Sequence, residues 1–197
     1  MFGNMAKPEA KSSESEKGES PLSVEDNHIS FCDDVTTKSI QKLNESIRTL
    51  GKKLRVEQVQ FDLLTPRPIH LHIHSYGGLL SAGVAGLETI SKSTVAVHTH
   101  IEGCAASAAT LLSMAGARRT MGRYSSILIH HLSSGTWGTY EQIKDHMEQS
   151  THLMNQMIGF YQNRSRMKEE EIREILKRDL WFDAEKALRL GLIDEIV

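Results

Sequence analysis

Three residues in this sequence have the types and surroundings that a hydrolytic serine site needs. Ser107 lies in the small-residue stretch GCAASAA, His130 ends the apolar run SSILIH, and Asp179 directly precedes the bulky run LWF. A serine acts as a nucleophile when a base lies within hydrogen-bond reach and backbone N–H groups face the developing oxyanion. The pattern therefore points to acyl transfer, with Ser107 as nucleophile, His130 as base and Asp179 as the acid that orients the base.

Two backbone groups are candidates for the oxyanion site. The N–H of Ala108 would lie in the first turn of a helix, where donors lack intrahelical partners and the helix dipole favours negative charge. The N–H of Gly78 is the second candidate, because a residue without Cβ lets its backbone approach a scissile carbonyl closely.

Each of these residues also has an ordinary explanation. A serine at a helix start is often only a cap, and a carboxylate at a helix end is often only a surface charge. His130 is one of ten histidines, so its position at the end of a strand carries the argument and its residue type alone does not.

The elements that must position these residues alternate between strand and helix. Apolar alternation predicts a strand over IHLHI, with Ile69, Leu71 and Ile73 on one face. A helix over about 79–91, a strand from Thr94, a turn at EGCA, a helix over 107–116 and a strand ending at His130 follow. This order predicts an α/β fold with right-handed crossovers and a parallel sheet, whose reactive groups gather at the carboxyl ends of the strands.

The flanking segments are predicted in the same way. Residues 29–31 are a short strand candidate, and helices are expected over 35–50, about 139–166 and 168–179. A last helix with Asp183 as N-cap and Gly191 as C-cap precedes a closing strand. Residues 1–27 are rich in Ser, Glu, Lys, Gly and Pro, which predicts a disordered tail or a removable propeptide before a domain over 28–197.

Composition excludes several classes of protein. Lys and Arg number 23 against 25 Asp and Glu, so no strong charge favours nucleic acid or an anionic membrane as partner. The two cysteines are too sparse for a disulfide scaffold, and no secretory signal or bilayer-spanning run is visible. We therefore expect a soluble, cytoplasmic protein.

Four motifs in a fixed order resemble the proteolytic subunit of the Clp protease family. IHSYGG is similar to the family's strand and glycine turn, GCAASAATLLSMAG to its nucleophile segment, LIHH to its histidine strand, and RDLWFDAEKALRLGLIDEIV to its ending. The resemblance implies a crotonase-like core of repeated ββα units with a parallel sheet. It also implies the triad Ser107, His130 and Asp179, oxyanion donors at Gly78 and Ala108, and neither a cofactor nor a metal.

The resemblance further implies how such a peptidase works. Unfolded proteins or peptides are the expected substrates, and the long helix over 139–166 would join stacked heptameric rings into a homo-oligomeric chamber. Tyr76 and Leu132 replace two prolines of the family pattern, and the loop before His130 is about two residues shorter. The family's apolar N-terminal helix and pore hairpin are not visible. An ATP-driven unfoldase partner and an unfoldase-independent role, such as processing phage structural proteins, both remain open.

Other readings of the sequence also stay open. His70, His72 and His74 alternate along one strand and His98 and His100 along the next, a pattern that would suit a zinc site or a pH sensor at a subunit contact. Cys104, near Ser107, is an alternative nucleophile. At the level of whole-protein function, the alternatives are a crotonase-type acyl-CoA enzyme and a catalytically silent structural ring subunit.

Overall fold

The computed structural model describes residues 21–197, and these form one mixed sheet with helices packed against it. The strands of this described part are β1 (Leu22–Glu25), β2 (His28–Phe31), β3 (Ile69–Ser75), β4 (Val97–Ala106), β5 (Arg118–Met121), β6 (Ser126–Leu128), β7 (Trp181–Phe182) and β8 (Glu195–Ile196). Its helices are α1 (Thr37–Gln60), α2 (Leu80–Ser91), α3 (Ala109–Ala115), α4 (Tyr140–Arg164), α5 (Glu169–Leu176) and α6 (Ala184–Leu190).

The sheet has the order β1-β2-β3-β4-β5-β8, and β6 and β7 extend it beyond the end of β5. Strands β2, β3, β4, β5 and β8 run parallel, whereas β1 and β7 pair antiparallel with β2 and β6. The predicted unit of parallel strands linked by α2 and α3 is confirmed. Its carboxyl ends meet at one edge, which is where the candidate residues lie.

One face of the sheet is buried and the other is partly open. Along β3, Ile69, Leu71 and Ile73 are fully buried and the alternate residues are not, as the period of a strand requires. Helices α1, α2 and α3 pack together on the buried side. This one-sided core explains why the strands alternate between apolar residues and histidine.

Several element boundaries differ from the predictions. The stretch 102–105 is not a turn, because β4 continues to Ala106 by pairing first with β5 and then with β6. Strand β5 was not predicted, and α1 runs on to Gln60, beyond the predicted end at residue 50. The helix predicted from Ser107 begins only at Ala109, so Ser107 lies in the connecting turn.

Side-chain caps stabilise the starts of helices α4 and α6. The Thr139 side chain accepts from the N–H of Gln142 and the Gln142 side chain accepts from the N–H of Thr139, a reciprocal capping box. Asp183 accepts from the N–H of Lys186, and Gly191 ends α6 in the left-handed conformation. Both predicted caps of α6 are confirmed.

The start of the domain lies earlier than the sequence indicates. Strand β1 falls inside the segment predicted as a tail, and its edge pairs with β2 from Leu22 to Glu25. Residues 1–20 lie outside the described part of the chain, so the predicted tail stays a prediction there.

Candidate active site

Ser107 lies in a strained turn between β4 and α3. Its backbone has φ +53°, a left-handed conformation that non-glycine residues rarely adopt. The Ser107 N–H donates to the carbonyl of Leu128 at 2.9 Å, which ties the turn to the end of β6. Strain of this kind is concentrated at functional sites, because the surrounding structure must hold the residue in place.

The glycine pair after β3 packs directly against this turn. Gly77 has φ +98°, and a Cβ on it would lie 2.6 Å from the Ala106 oxygen and 2.7 Å from the Ser107 Cβ. Only glycine fits such an approach. Of this pair, only Gly78 was predicted to have a role, and the close packing of Gly77 was not predicted.

Gly78 is held by a bridge to the segment before α1. Val35 donates to the Gly77 carbonyl at 2.7 Å, and Leu79 donates to the Val35 carbonyl at 2.7 Å. Within residues 21–197, the N–H groups of Gly78 and Ala108 donate to no carbonyl or side chain. Both predicted oxyanion donors therefore keep their hydrogens available in this structure.

His130 and Asp179 are brought together by the pairing of β6 with β7. This pairing sets Trp181 opposite Leu128, so the residues that follow β6 meet those that precede β7. The Nδ1 atom of His130 lies 3.5 Å from Oδ1 of Asp179, an ion-pair distance longer than a normal hydrogen bond. The histidine side chain is 22% exposed and the carboxylate 81% exposed.

A small cavity collects most of the predicted site residues. Its volume is about 120 Å³, and its lining includes Ser107, Ala108, Gly78 and His130. The remaining wall is mainly apolar and comes from α2, the segment after β6 and α4: Leu80, His131, Leu132, Ser133, Met154, Met157 and Tyr161. Asp179 is not among the lining residues and lies beside His130. The contribution of α4 to this wall was not predicted.

Five histidines of β2, β3 and β4 form a cluster on the open side of the sheet, here called the imidazole face: His28, His70, His72, His98 and His100. His74 belonged to the predicted set but lies outside this cluster, where it contacts the Glu102 carbonyl and the Tyr76 ring. His28 was not in the predicted set, and it joins because β2 pairs with β3. His28 Nδ1 lies 2.9 Å from His72 Nε2, and His70 Nδ1 lies 2.8 Å from His100 Nε2. Most neighbouring rings are stacked, with centroids 4.7–5.1 Å apart.

Burial favours the neutral form of three histidines of the imidazole face. Burial is the largest cause that lowers the pKa of His70 and His98, and it lowers the pKa of His100 to about 4. His72 also contacts a carboxylate, since its Nδ1 lies 2.5 Å from Glu102 Oε1. No group of three or more His, Cys, Asp or Glu in residues 21–197 is arranged to hold a metal ion.

Cys104 is poorly suited to nucleophilic chemistry. Its side chain is buried, and its sulfur lies 3.9 Å from His74 Nδ1 and 3.9 Å from the Ser75 carbonyl. Burial raises the pKa of the thiol, which disfavours the reactive thiolate.

Comparison with known proteins identifies the family. The sequence model of Clp protease matches residues 25–197. The chain belongs to the Clp protease family. It is a serine-type endopeptidase with the α/β fold of that family, as its four motifs predicted.

Clp relatives share about a third of their residues with this chain over the matched region. The "ATP-dependent Clp protease proteolytic subunit 2" of Rhodococcus jostii (strain RHA1) is 35% identical over 133 residues, which cover 66% of this chain and 68% of that protein. "ATP-dependent Clp protease proteolytic subunit 1" of Streptomyces coelicolor is also 35% identical, covering 66% of this chain and 61% of that protein. The "ATP-dependent Clp protease proteolytic subunit" of Streptococcus mutans serotype c is 33% identical and covers 66% and 69%.

Within residues 21–197, no helix combines the length and apolar character needed to cross a bilayer.

Proposed function

We propose that Ser107, His130 and Asp179 form the catalytic triad of this peptidase, with the N–H groups of Gly78 and Ala108 as oxyanion donors. The observation that carries the proposal is the shared cavity, which both oxyanion residues line together with Ser107 and His130. Asp179 lies outside the cavity lining, with its Oδ1 at 3.5 Å from His130 Nδ1, where it can orient the imidazole.

The chemistry follows from these roles. Nδ1 of His130 faces Asp179, so Nε2 is the nitrogen that takes the Ser107 proton as Oγ attacks the scissile carbonyl. The negative charge of the tetrahedral intermediate is stabilised by the Gly78 and Ala108 N–H groups. His130 then protonates the leaving amine, and a water molecule hydrolyses the acyl-enzyme by the same route.

The distance between His130 and Asp179 fits a free enzyme. Catalytic hydrogen bonds are often long in the absence of substrate and shorten in the complex. Because Asp179 is mostly exposed, water competes for its carboxylate, and we propose that bound substrate or a neighbouring subunit excludes that water.

The cavity wall supports a preference for apolar side chains. The cavity beside Ser107 has a volume of about 120 Å³, which suits one side chain. Its apolar walls come from Leu80, Leu132, Met154 and Met157. Methionine adapts its shape readily, so several apolar residues at this position of the substrate would be accepted. We propose unfolded proteins and flexible peptides as the substrate class.

A fluorophosphonate serine-hydrolase probe tests the proposal directly. We expect the native protein to be labelled at Ser107, as located by mass spectrometry, and Ser107→Ala to lose both the label and peptide hydrolysis. Ser113→Ala is a matched control, because it removes a buried serine hydroxyl from the adjacent helix α3 and leaves Ser107 in place. An assembled native protein without the label would contradict the proposal and favour a silent structural subunit.

The assembly is the second part of the proposal. The first half of α4 exposes Tyr140, Ile143 and Met147, which a contact between stacked heptameric rings would cover. We expect Ile143→Glu to convert a double ring into a smaller species in analytical ultracentrifugation. Val59→Glu, which changes an exposed apolar residue on α1, should leave the mass unchanged, and equal masses for all three proteins would contradict this contact.

The dependence on an unfoldase separates the two modes of action. The relatives are named as ATP-dependent proteases, and an ATP-driven partner would deliver unfolded chains to this subunit. An unfoldase-independent processing protease would instead cleave a protein substrate alone. Incubation of the protein without any ATPase, first with an unfolded casein and then with a stably folded protein, distinguishes these modes. Cleavage of the protein substrates by the subunit alone indicates the processing protease, and no cleavage without an ATPase indicates dependence on an unfoldase.

A further inference from the structure

The carbonyl of Ser107 is held by a residue that the triad does not include. Thr110, in the first turn of α3, donates to this carbonyl from its N–H at 3.0 Å and from its Oγ1 at 2.6 Å. The N–H of Ser107 is bound to Leu128, so hydrogen bonds fix the strained turn on both sides. The Thr110 side chain thus makes the shorter of the two hydrogen bonds that hold this carbonyl.

The direction of the next hydrogen bond can be derived. Thr110 Oγ1 lies 2.7 Å from the hydroxyl of Tyr161. A threonine hydroxyl has one proton, and the Ser107 carbonyl can only accept, so Thr110 gives its proton to Ser107. Tyr161 must then donate to Thr110, which makes a relay with one direction: Tyr161 to Thr110 to the Ser107 carbonyl.

Tyr161 is suited to be a permanent donor. It is 1% exposed, and burial raises its pKa to about 12, so it keeps its proton wherever the enzyme works. It belongs to α4, the helix whose Met154 and Met157 also line the cavity. Helix α4 thus forms part of the cavity wall and is also linked, through Tyr161 and Thr110, to the turn that carries Ser107.

We infer that Thr110 and Tyr161 are positioning residues for the nucleophile, which hold Ser107 in its left-handed conformation beside Gly78 and His130. This inference rests on the proposed function of Ser107. The relay acts on the geometry of Ser107, and Tyr161, its one member that lines the cavity, exposes only 1% of its surface. Loss of the relay should therefore slow acylation with little effect on substrate binding.

Single-atom changes in the intact oligomer test the relay. Thr110→Val removes the hydroxyl at nearly constant volume, Tyr161→Phe removes the donor, and Thr110→Ser keeps the hydroxyl. We expect Thr110→Val and Tyr161→Phe to lower kcat and the rate of fluorophosphonate labelling by about three- to tenfold, with KM within about twofold. Thr110→Ser should restore most of the rate.

The controls separate positioning from general stability. Ser113→Ala removes a buried hydroxyl that donates to the Thr110 carbonyl in the same helix, and it should leave kcat unchanged. The double variant Thr110→Val/Tyr161→Phe should be no slower than Thr110→Val alone, because the relay acts as one unit. If Thr110→Val does not fold, Tyr161→Phe gives the same comparison.

Different failures are distinguishable. If the native enzyme labels at Ser107 and the Thr110 and Tyr161 variants lose only thermal stability at unchanged kcat, the relay is structural and the inference is wrong. If the native protein does not label at Ser107, the proposed function fails and this inference fails with it.

Discussion

Acidification should destabilise the imidazole face, and His100 is the residue that shows this most clearly. Its pKa in the fold is about 4, against 6.5 for an unperturbed histidine. Burial is the largest cause, and His72, His70 and His98 lower the pKa further while Glu102 raises it. Because the folded pKa is the lower one, the unfolded chain binds more protons between these two values. The free energy of unfolding therefore decreases as the pH is lowered through this range.

The magnitude follows from that difference. A shift from 6.5 to about 4 would correspond to about 3 kcal/mol if it were fully expressed. The His100 ring is only partly buried, and water and salt screen such a site, so we expect about 1–2 kcal/mol. This loss of stability is absent above the pKa of the unfolded chain, grows as the pH falls, and levels off below the pKa of the folded protein. His70 and His98 add to it in the same direction.

Urea unfolding at fixed protein concentration, between about pH 7.5 and about pH 4, measures this effect. We compare the native protein with His100→Gln and with His152→Gln, which replaces an exposed histidine on α4. His100→Gln starts less stable at neutral pH, because His100 contacts His70 and Thr120 at 2.8 and 2.6 Å. Its free energy of unfolding should nevertheless fall by about 1–2 kcal/mol less on acidification than that of the other two proteins. Parallel curves for all three would refute the reasoning.

Three further perturbations test other parts of the structure. Gly77→Ala should lower kcat/KM about 100-fold by displacing the Ser107 turn, whereas Gly159→Ala, whose added Cβ meets nothing within 4 Å, should keep the activity. Asp179→Asn should lower kcat by about 10³- to 10⁴-fold at neutral pH, since the amide no longer stabilises the imidazolium, and an unchanged kcat would remove Asp179 from the triad. Asp194→Asn should cost about 1–2 kcal/mol in thermal unfolding, because its carboxylate accepts from Arg119 at 2.5, 2.9 and 3.1 Å. The hydrogen bond from Arg119 also lowers the pKa of Asp194, so the stability that this pair contributes is lost as the pH falls towards the lowered pKa. An Asp194→Asn variant with unchanged stability would contradict this role of the pair.

The local sequence was enough to predict the elements around the site. Alternation of apolar residues in β3, the caps of α6, and the order of strands and helices all depend on neighbours in the chain. The four motifs were sufficient to indicate the family, which the match over residues 25–197 confirmed. The boundary at Ser107 was wrong, because β4 is extended by its pairing with β6, a contact that no local pattern contains.

Only the tertiary structure decided how the residues of the site meet. The left-handed turn at Ser107, the close approach of Gly77 and the distance between His130 and Asp179 each depend on strands far apart in the chain. The bond from Tyr161 to Thr110 joins residues 51 positions apart, and no sequence pattern links the two side chains. Periodicity and caps act over a few residues and leave their signal in the sequence. Hydrogen bonds across packed elements are set by the sheet geometry, so residue types alone do not specify them.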